Sequence, residues 1–205
     1  TLNKMSAIIA TSPNYIETSK VLSNKSIIKK VQLIPLGMNE NRNVFQDPKK
    51  SIINFNIEKG ERYFLFIGVL RYYKGLEYLI LAAKKVKAKI IVAGEGPELE
   101  VLKNLANKNS INNVHFIGYI NEDEKDSLIS NCDALVLPSH LRSEAFGMVL
   151  LEAAMRGRPM ITCEIGSGTS FVNINEITGL VVEPGSPEQL SQAMITILSD
   201  ESLAR

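Results

Sequence analysis

Two carboxylates stand on either side of a stretch that is expected to turn from a loop into a helix. Glu144 precedes Phe146 and Gly147, where the chain would enter a helix predicted for residues 148–156. Glu152 lies inside that helix, with seven residues between the two acids. The N-terminus of a helix is a ready site for phosphate. A carboxylate beside such a site indicates a ligand with both phosphate and hydroxyl groups, and a nucleotide-sugar fits that description.

A glycosidase pair is another chemistry that two carboxylates can indicate. It needs a separation of roughly 5 to 9.5 Å between the acids. If Glu144 and Glu152 were both helical, their backbones would lie about 12 Å apart. The spacing therefore favours two separate contacts over one acid–base pair. Two surface glutamates flanking an amphipathic helix are the simpler alternative.

Two cations follow the first long apolar run of the sequence. Arg71 and Lys74 lie in the segment 68–75, which ends at Gly75. Arginine offers a planar fork that suits a phosphate, and lysine offers a point charge. Gly75 would permit a tight turn into the next helix. The alternative is a pair of solvated loop cations.

Two glycine-containing loops are candidates for close approach to a ligand. Gly94 and Gly96 begin like a dinucleotide fingerprint, but Leu99 occupies the third glycine position, so a tight turn is an equal alternative. Gly166 and Gly168 lie among hydroxyl side chains in a segment that suits a cradle of backbone amides for an anion. A mobile surface loop is the alternative there. His140 is treated as a bystander.

Strands and helices alternate from residue 63 onward. Short links between them predict a parallel sheet with helices on both faces, which is a doubly wound, Rossmann-like α/β domain. The ligand site of such a sheet lies outside the carboxyl ends of its strands, where the loops follow. The predicted strands are 63–70, 89–93, 114–117, 134–137, 160–163 and 179–182, and the predicted helices are 76–86, 97–108, 122–130, 148–156 and 187–198.

The first 36 residues differ from the rest. A strand at 7–10, a helix at 13–22 and a strand at 31–34 predict the last βαβ unit of a preceding domain, residues 1–36. Packing of this unit on the following domain is the alternative. Residues 37–62 are interpreted as an interdomain linker and residues 63–205 as a C-terminal domain.

Composition narrows the class of protein. The chain has 205 residues, 45% hydrophobic and 22% charged, with 23 Lys plus Arg and 22 Asp plus Glu. Such a balance does not suggest a nucleic-acid surface. No stretch approaches the roughly 18 apolar residues of a membrane span, and the start lacks a signal-peptide pattern. Cys132 and Cys163 are far apart in apolar contexts, so we expect no metal site.

Because the chain begins at Thr1 and stops inside a polar run, we expect a fragment of a longer protein.

These features resemble glycosyltransferase family 4, retaining enzymes with the two-domain GT-B fold, in its C-terminal donor-binding half. The match covers nearly the whole chain, and its order and spacing are more specific than any single mark. Segments 69–75 and 164–170 resemble the bacterial members that build surface polysaccharides, often with mannose or a related sugar. The marks are residues 68–75, 94–97, 114–118, 138–139, the E-x7-E of Glu144 and Glu152, 157–159 and 178–181.

The resemblance implies roles for the two acids and the two cations. Glu152 would accept hydrogen bonds from the ribose hydroxyls of the donor. Glu144 would be catalytic, holding the donor sugar and stabilising positive charge in the transition state. Arg71 and Lys74 would bind the diphosphate. Many relatives carry the arginine where this chain has Val69, and Arg71 lies two residues on, hence on the same side of an extended strand.

The resemblance also implies roles for backbone groups and for the base. Amides of Phe146, Gly147, Met148 and Val149 would meet the sugar and phosphate at the helix start. Gly118-Tyr119-Ile120 would frame the base, with Tyr119 and Ile120 as its contacts. The possible donor loops would carry Gly94, Gly96, Gly166 and Gly168.

The implied reaction transfers a hexose from GDP-mannose or a UDP-sugar to a glycan or lipid-linked acceptor, with retention of configuration. No metal and no cofactor is expected, since the cations and the helix N-terminus would neutralise the leaving diphosphate. The acceptor would bind through the domain that precedes this one, so the chain alone should transfer nothing. Location in the cytoplasm is expected, with peripheral association of the full-length enzyme at the inner face of the membrane left open.

Two other functions stay open at this stage. A nucleotide-sugar epimerase can share the GT-B fold and would need no acceptor. A non-catalytic nucleotide-binding module is disfavoured because Lys74, Glu144 and Glu152 are all present. A nicotinamide dehydrogenase is disfavoured by Leu99 and by the absence of an acid placed for an adenosine ribose.

Overall fold

Alternating strands and helices make up most of the computed structural model, which describes residues 2–38, 55, 57, 58 and 60–200. Short 3-10 helices are formed by Leu2–Lys4, Ile28–Lys30 and Tyr72–Lys74. The strands are β1 (Ile8–Ala10), β2 (Val31–Leu33), β3 (Tyr63–Ile67), β4 (Lys89–Ala93), β5 (Val114–Gly118), β6 (Ala134–Leu137), β7 (Met160–Cys163) and β8 (Gly179–Val182). The helices are α1 (Pro13–Thr18), α2 (Leu76–Ala83), α3 (Leu99–Lys108), α4 (Glu122–Asn131), α5 (Met148–Met155), α6 (Thr169–Val172) and α7 (Pro187–Ser199).

Strands β3 to β8 form a six-stranded sheet in the order β5-β4-β3-β6-β7-β8, and every neighbouring pair is parallel. Phe64 of β3 pairs with Ile90 of β4 on one side and with Ala134 of β6 on the other. The chain therefore winds outward from β3 in one direction and from β6 in the other. This confirms the predicted doubly wound, Rossmann-like sheet, and it puts the switch in winding direction between β3 and β6.

The core of this sheet is built from strands buried on both faces. Tyr63 to Phe66 of β3 are buried, and so are all four residues of β6 and of β7. The phenol of Tyr63 donates a hydrogen bond of 2.7 Å to the Leu128 carbonyl of α4, and burial raises the pKa of this phenol. Near-continuous apolar runs are typical of parallel strands covered by helices, which is why these segments were predictable.

Several predicted boundaries were wrong by a few residues. The strand predicted for 63–70 ends at Ile67 because the backbone turns at Gly68, with φ +152°. The helix predicted from Pro97 begins at Leu99, and Pro97 and Glu98 form a turn in which the Leu99 N–H donates to the Gly96 carbonyl at 3.2 Å. The predictions 76–86 and 13–22 extend past the observed ends at Ala83 and Thr18.

Helix α6 was not predicted at all. Its residues follow a loop of glycine and serine that is typical of turns. The Thr169 hydroxyl donates to the Cys163 carbonyl at 3.3 Å, and the Asn173 amide bonds the Thr162 hydroxyl at 2.9 Å. These buried contacts tie both ends of the helix to β7, so tertiary packing forms a turn of helix where local propensity is weak.

The N-terminal unit has its own two-stranded parallel sheet, in which Ile8 of β1 pairs with Val31 of β2. Helix α1 between them contacts the segment that leads into α6. The Thr18 hydroxyl donates to the Gly166 carbonyl at 2.5 Å, and the Asn14 amide donates to the Ser170 hydroxyl at 3.1 Å. The N-terminal unit therefore contacts the loop after β7 and helix α6 through side chains of α1.

Most of the predicted linker, residues 37–62, lies outside the described residues. Ile57, near its C-terminal end, is buried in the core of the large sheet, and Phe55 packs against that core. Within the described part of the chain, no helix is long and apolar enough to cross a bilayer.

Candidate functional site

The loops that follow β3 and β6 cross each other at the switch point of the sheet. Gly75 ends the first loop in the left-handed conformation, with φ +68°. A Cβ at this position would overlap the carbonyl oxygen of Pro138, the residue that follows β6. The His140 N–H donates to the Tyr73 carbonyl at 3.0 Å. Backbone contact between the two loops therefore brings the side chains that they carry into one crevice.

Lys74 and Glu144 meet across this crevice. The Lys74 ammonium forms an ion pair with Glu144 Oε2, and the Ser139 hydroxyl donates to the same oxygen at 3.3 Å. The side chains of Lys74 and Glu144 are 13% and 10% exposed, so water screens the pair weakly. The structure thus puts the predicted diphosphate-binding lysine in direct contact with the predicted catalytic acid.

The cation predicted to accompany Lys74 has a different environment. Arg71 is exposed at the start of the loop, and in the described part of the chain it has no ion-pair partner. Lys74 is held more firmly, with its ammonium 5.5 Å from the centre of the Tyr73 ring. Because its guanidinium is exposed and has no ion-pair partner among the described residues, Arg71 can reach an anion without first breaking an ion pair.

Helix α5 points its N-terminus toward this crevice. Gly147 precedes the helix with φ +80°, and no side chain caps it. The first N–H groups of a helix have no acceptor within the helix, so those of Met148 and Val149 can be directed at a ligand. Phe146 is buried and anchors the turn, whereas Met148 is 40% exposed. The predicted amide site therefore lies on a turn whose backbone is held by packing.

Glu152 lies on α5 and contacts a residue of the neighbouring helix. Lys125 of α4 donates to Glu152 Oε1 at 3.0 Å and also bonds Glu122. Burial acts to lower the pKa of Lys125, but its hydrogen bonds to the two glutamates outweigh burial, so the pKa is raised. The predicted ribose acceptor is therefore a carboxylate held in an ion pair with Lys125.

The remaining predicted contacts lie along the carboxyl edge on both sides of the switch point. Tyr119, which follows β5, is 77% exposed, and Ile120 packs partly into the core. Gly94 and Gly96 follow β4, and a Cβ on either one would overlap the backbone of the loop after β3. These glycines allow that loop to lie directly against its neighbour, which accounts for them without a ligand.

The loop with Gly166 and Gly168 follows β7 and is also explained by packing. The Gly168 N–H donates to the Ala145 carbonyl at 2.9 Å, and a Cβ there would meet Phe146 at 2.6 Å. A Cβ on Gly166 would meet Thr18 at 2.9 Å. This loop packs against the turn before α5 and also contacts the N-terminal unit.

Two further observations bear on chemistry at this edge. His140 packs edge-on against Tyr78, with ring centroids 5.3 Å apart, and its buried Nδ1 has no hydrogen-bond partner among the described residues. In the described ranges, no group of three His, Cys, Asp or Glu side chains could hold a metal ion.

Sequence reasoning missed the side chains that hold the two acids. Ser139 was noted only as part of a motif, although a hydroxyl directly after a strand-ending proline could have been assigned to the crevice. Lys125 carried no such signal, because a lysine at i, i+3 from Glu122 is typical of a solvated helix face. Its contact with Glu152 depends on how α4 packs against α5.

The six-stranded sheet, with its cation–carboxylate pair at the switch point, defines a Rossmann-like α/β domain. The sequence model of the family described as "Glycosyl transferases group 1" matches residues 48–205. The chain belongs to this family, and the resemblance identified from the sequence is thereby confirmed.

Two relatives match almost the entire chain. The O-antigen chain mannosyltransferase C of Escherichia coli is 38% identical over 200 residues, which are 98% of this chain and 53% of the relative. The D-rhamnosyltransferase WbpZ of Pseudomonas aeruginosa is 43% identical over 194 residues, which are 94% of this chain and 50% of the relative. The chain therefore spans about half the length of the curated relatives it matches.

A solved structure shares the fold. Sucrose-phosphate synthase from Thermosynechococcus elongatus superimposes with a TM-score of 0.84 at 27% identity, covering 100% of this chain and 52% of that one. The fold is thus that of GT-B glycosyltransferases.

Proposed function

We propose that this chain is the donor-binding half of a nucleotide-sugar glycosyltransferase. The full enzyme would transfer a hexose from GDP-mannose or a UDP-sugar, with retention of configuration, to a glycan or lipid-linked acceptor. The observation that carries the proposal is the Lys74–Glu144 ion pair at the switch point, beside the uncapped N-terminus of α5. Family membership and the two relatives named as sugar transferases support it.

The diphosphate would be held by charges of two kinds. Lys74 has three N–H donors, so it can keep its contact with Glu144 while it donates to a phosphate oxygen. Arg71 would add a planar pair of donors, and the helix amides of Gly147 to Val149 would supply fixed dipoles. Together these groups would stabilise the negative charge that develops on the leaving diphosphate without a metal or cofactor.

The two acids would act at opposite ends of the donor. Glu144 would accept hydrogen bonds from the sugar hydroxyls and stabilise positive charge near the reacting carbon. Glu152, about one turn into α5, would accept from the ribose hydroxyls, and Tyr119 with Ile120 would frame the base. This division follows the order sugar, diphosphate, ribose and base along an extended donor.

The acceptor would bind through the part of the enzyme that precedes this chain. Closure of two domains over the donor expels water and positions the acceptor. Residues 1–36 would be the last unit of that preceding domain, and residues 37–62 would join it to the donor domain. The working enzyme would build surface polysaccharide in the cytoplasm, with peripheral association at the inner face of the membrane.

Calorimetric titration of this chain with GDP, UDP and ADP tests the donor site. We expect weak binding of at least one of them. Glu152→Ala should weaken that binding by about 1–3 kcal/mol, the cost of losing hydrogen bonds to a charged group. Glu144→Ala should leave nucleotide affinity unchanged, and Glu100→Ala, on an exposed helix face, serves as the matched control.

Activity assays complete the test. Glu144→Ala should abolish sugar transfer in the full-length enzyme, and the isolated chain should transfer nothing. Equal loss of nucleotide affinity in the Glu144 and Glu152 variants would reject the proposed division of roles. An epimer formed by the full-length protein without acceptor would reject the transfer reaction itself.

A further inference from the structure

Two ion pairs join α4 to α5, and they engage adjacent residues of α4. Lys125 pairs with Glu152 at 3.0 Å, and Asp126 pairs with Arg156 at 2.8 Å. In the first pair both side chains are well shielded, at 13% and 15% exposure. The second pair lies one helical turn further along α5. The same two helices are therefore connected twice, and one of the two connections ends on the proposed ribose-binding carboxylate.

Shielding makes the first pair more than a surface contact. A carboxylate in a site with little water needs a cation or strong hydrogen-bond donors beside it. Lys125 supplies both, and its other partner, Glu122, is 70% exposed and lies at i, i−3 on the same helix. Lys125 is thus paired with Glu122 of its own helix and with Glu152 of the neighbouring helix.

We propose that Lys125 is a positioning residue for nucleotide recognition, which orients the Glu152 carboxylate toward the ribose hydroxyls. This inference rests on the proposed function, in which Glu152 accepts from the ribose. An ionised carboxylate has about four acceptor positions, so the bond from Lys125 leaves capacity for hydroxyl donors. A glutamate fixed in one rotamer before binding loses less conformational freedom when the ligand arrives, which raises affinity.

Lys125 would therefore act on one part of the ligand alone. Ribose hydroxyls are recognised through Glu152, whereas the diphosphate is recognised at the switch point through Lys74 and Arg71. Loss of Lys125 should weaken binding of a nucleotide that has both ribose hydroxyls. It should not affect a nucleotide that lacks them.

The test compares GDP with 2′,3′-dideoxy-GDP, or the UDP or ADP pair if wild type binds that base more tightly. Calorimetry is performed on wild type, Lys125→Met and Asp126→Asn. Methionine keeps most of the lysine volume without its charge. Asp126→Asn breaks the other ion pair between the same helices without touching Glu152, so it is a matched control for helix packing. Far-UV circular dichroism and the urea midpoint check that each variant is folded.

Wild type should bind the complete nucleotide at least about tenfold more tightly than the dideoxy analogue, the value of a hydrogen bond to a charged group. Lys125→Met should lose about tenfold in affinity for the complete nucleotide and bind the analogue as wild type does. Asp126→Asn should match wild type for both ligands. Lys125→Gln, which keeps a donor without the charge, should retain part of the preference and replaces Lys125→Met if that variant does not fold.

Other outcomes distinguish failure of the positioning role of Lys125 from failure of the proposed function. Equal weakening of both ligands by Lys125→Met, the same effect from Asp126→Asn, or no effect of Lys125→Met would overturn the positioning role and leave the proposed function standing. Wild-type protein that binds the dideoxy analogue as tightly as the complete nucleotide would overturn the ribose role of Glu152 as well. Failure of wild type to bind any nucleoside diphosphate would overturn the proposed function.

Discussion

Removing the ammonium of Lys74 should lower the free energy of unfolding by an amount that depends on how deeply the Lys74–Glu144 pair is buried. Lys74→Met keeps the side-chain volume but leaves Glu144, 8% exposed, with the Ser139 hydroxyl at 3.3 Å as the side-chain donor that the structure shows. Breaking a fully buried ion pair by removing one partner costs about 3–5 kcal/mol. Because the two side chains keep 13% and 10% exposure, we expect the lower end, about 3 kcal/mol.

A double-mutant cycle measures the coupling in this pair. Glu144→Gln should cost about 1–2 kcal/mol, since the long stem of Lys74 can move its ammonium toward water. The double variant Lys74→Met with Glu144→Gln should cost about 2 kcal/mol less than the sum of the single changes. Urea unfolding at pH 7, followed by far-UV circular dichroism, gives each free energy of unfolding.

An exposed pair provides the control for this cycle. Lys103 and Glu100 lie 3.0 Å apart on α3 with 45% and 76% exposure, so Lys103→Met should change stability by less than about 0.5 kcal/mol. If the Lys74 and Glu144 changes proved additive within about 0.5 kcal/mol, the two side chains would not be coupled. The crevice would then not be organised by this ion pair.

Two further predictions concern the packing of the fold. Gly75→Ala should lower the free energy of unfolding clearly more than Gly157→Ala does. Both glycines have positive φ, at +68° and +61°, which costs about 1–2 kcal/mol for alanine. Of these two positions, only Gly75 would place the new Cβ in overlap with a backbone carbonyl. Equal urea midpoints for the two variants would contradict this. Burial raises the pKa of the Cys132 and Cys163 thiols to about 12, so both should stay protonated at pH 8 and react with iodoacetamide only as fast as the protein opens. Rapid labelling of the native protein, measured by mass spectrometry, would contradict this.

The fold was predictable because its signals are local. Short apolar runs, separated by segments with helical spacing, predicted β3 to β8. Helix α4 begins with a local signal of this kind, since Asn121 forms a capping box with Glu124. The largest error fell where local signals are weak, at α6, which is held by its buried hydrogen bonds to β7.

The candidate site was predictable in outline for a topological reason. Parallel strands place their carboxyl ends at one edge, so loops carrying Lys74, Glu144 and the start of α5 had to share that edge. The spacing of residues along the chain does not say which side chains touch. Gly94 and Gly96 show the converse, since their conformation is explained by a neighbouring loop and would be needed without any ligand.

The sequence by itself determined the class of sheet, the approximate positions of its strands and of the helices other than α6, and the set of loops in which the chemistry lies. Only the tertiary structure decided that Lys74 pairs with Glu144 and that Lys125 pairs with Glu152. Secondary structure depends on periodicity within a few residues, whereas these ion pairs join residues 70 and 27 positions apart. Their partners are chosen by the order of strands in the sheet and by the packing of helices on it.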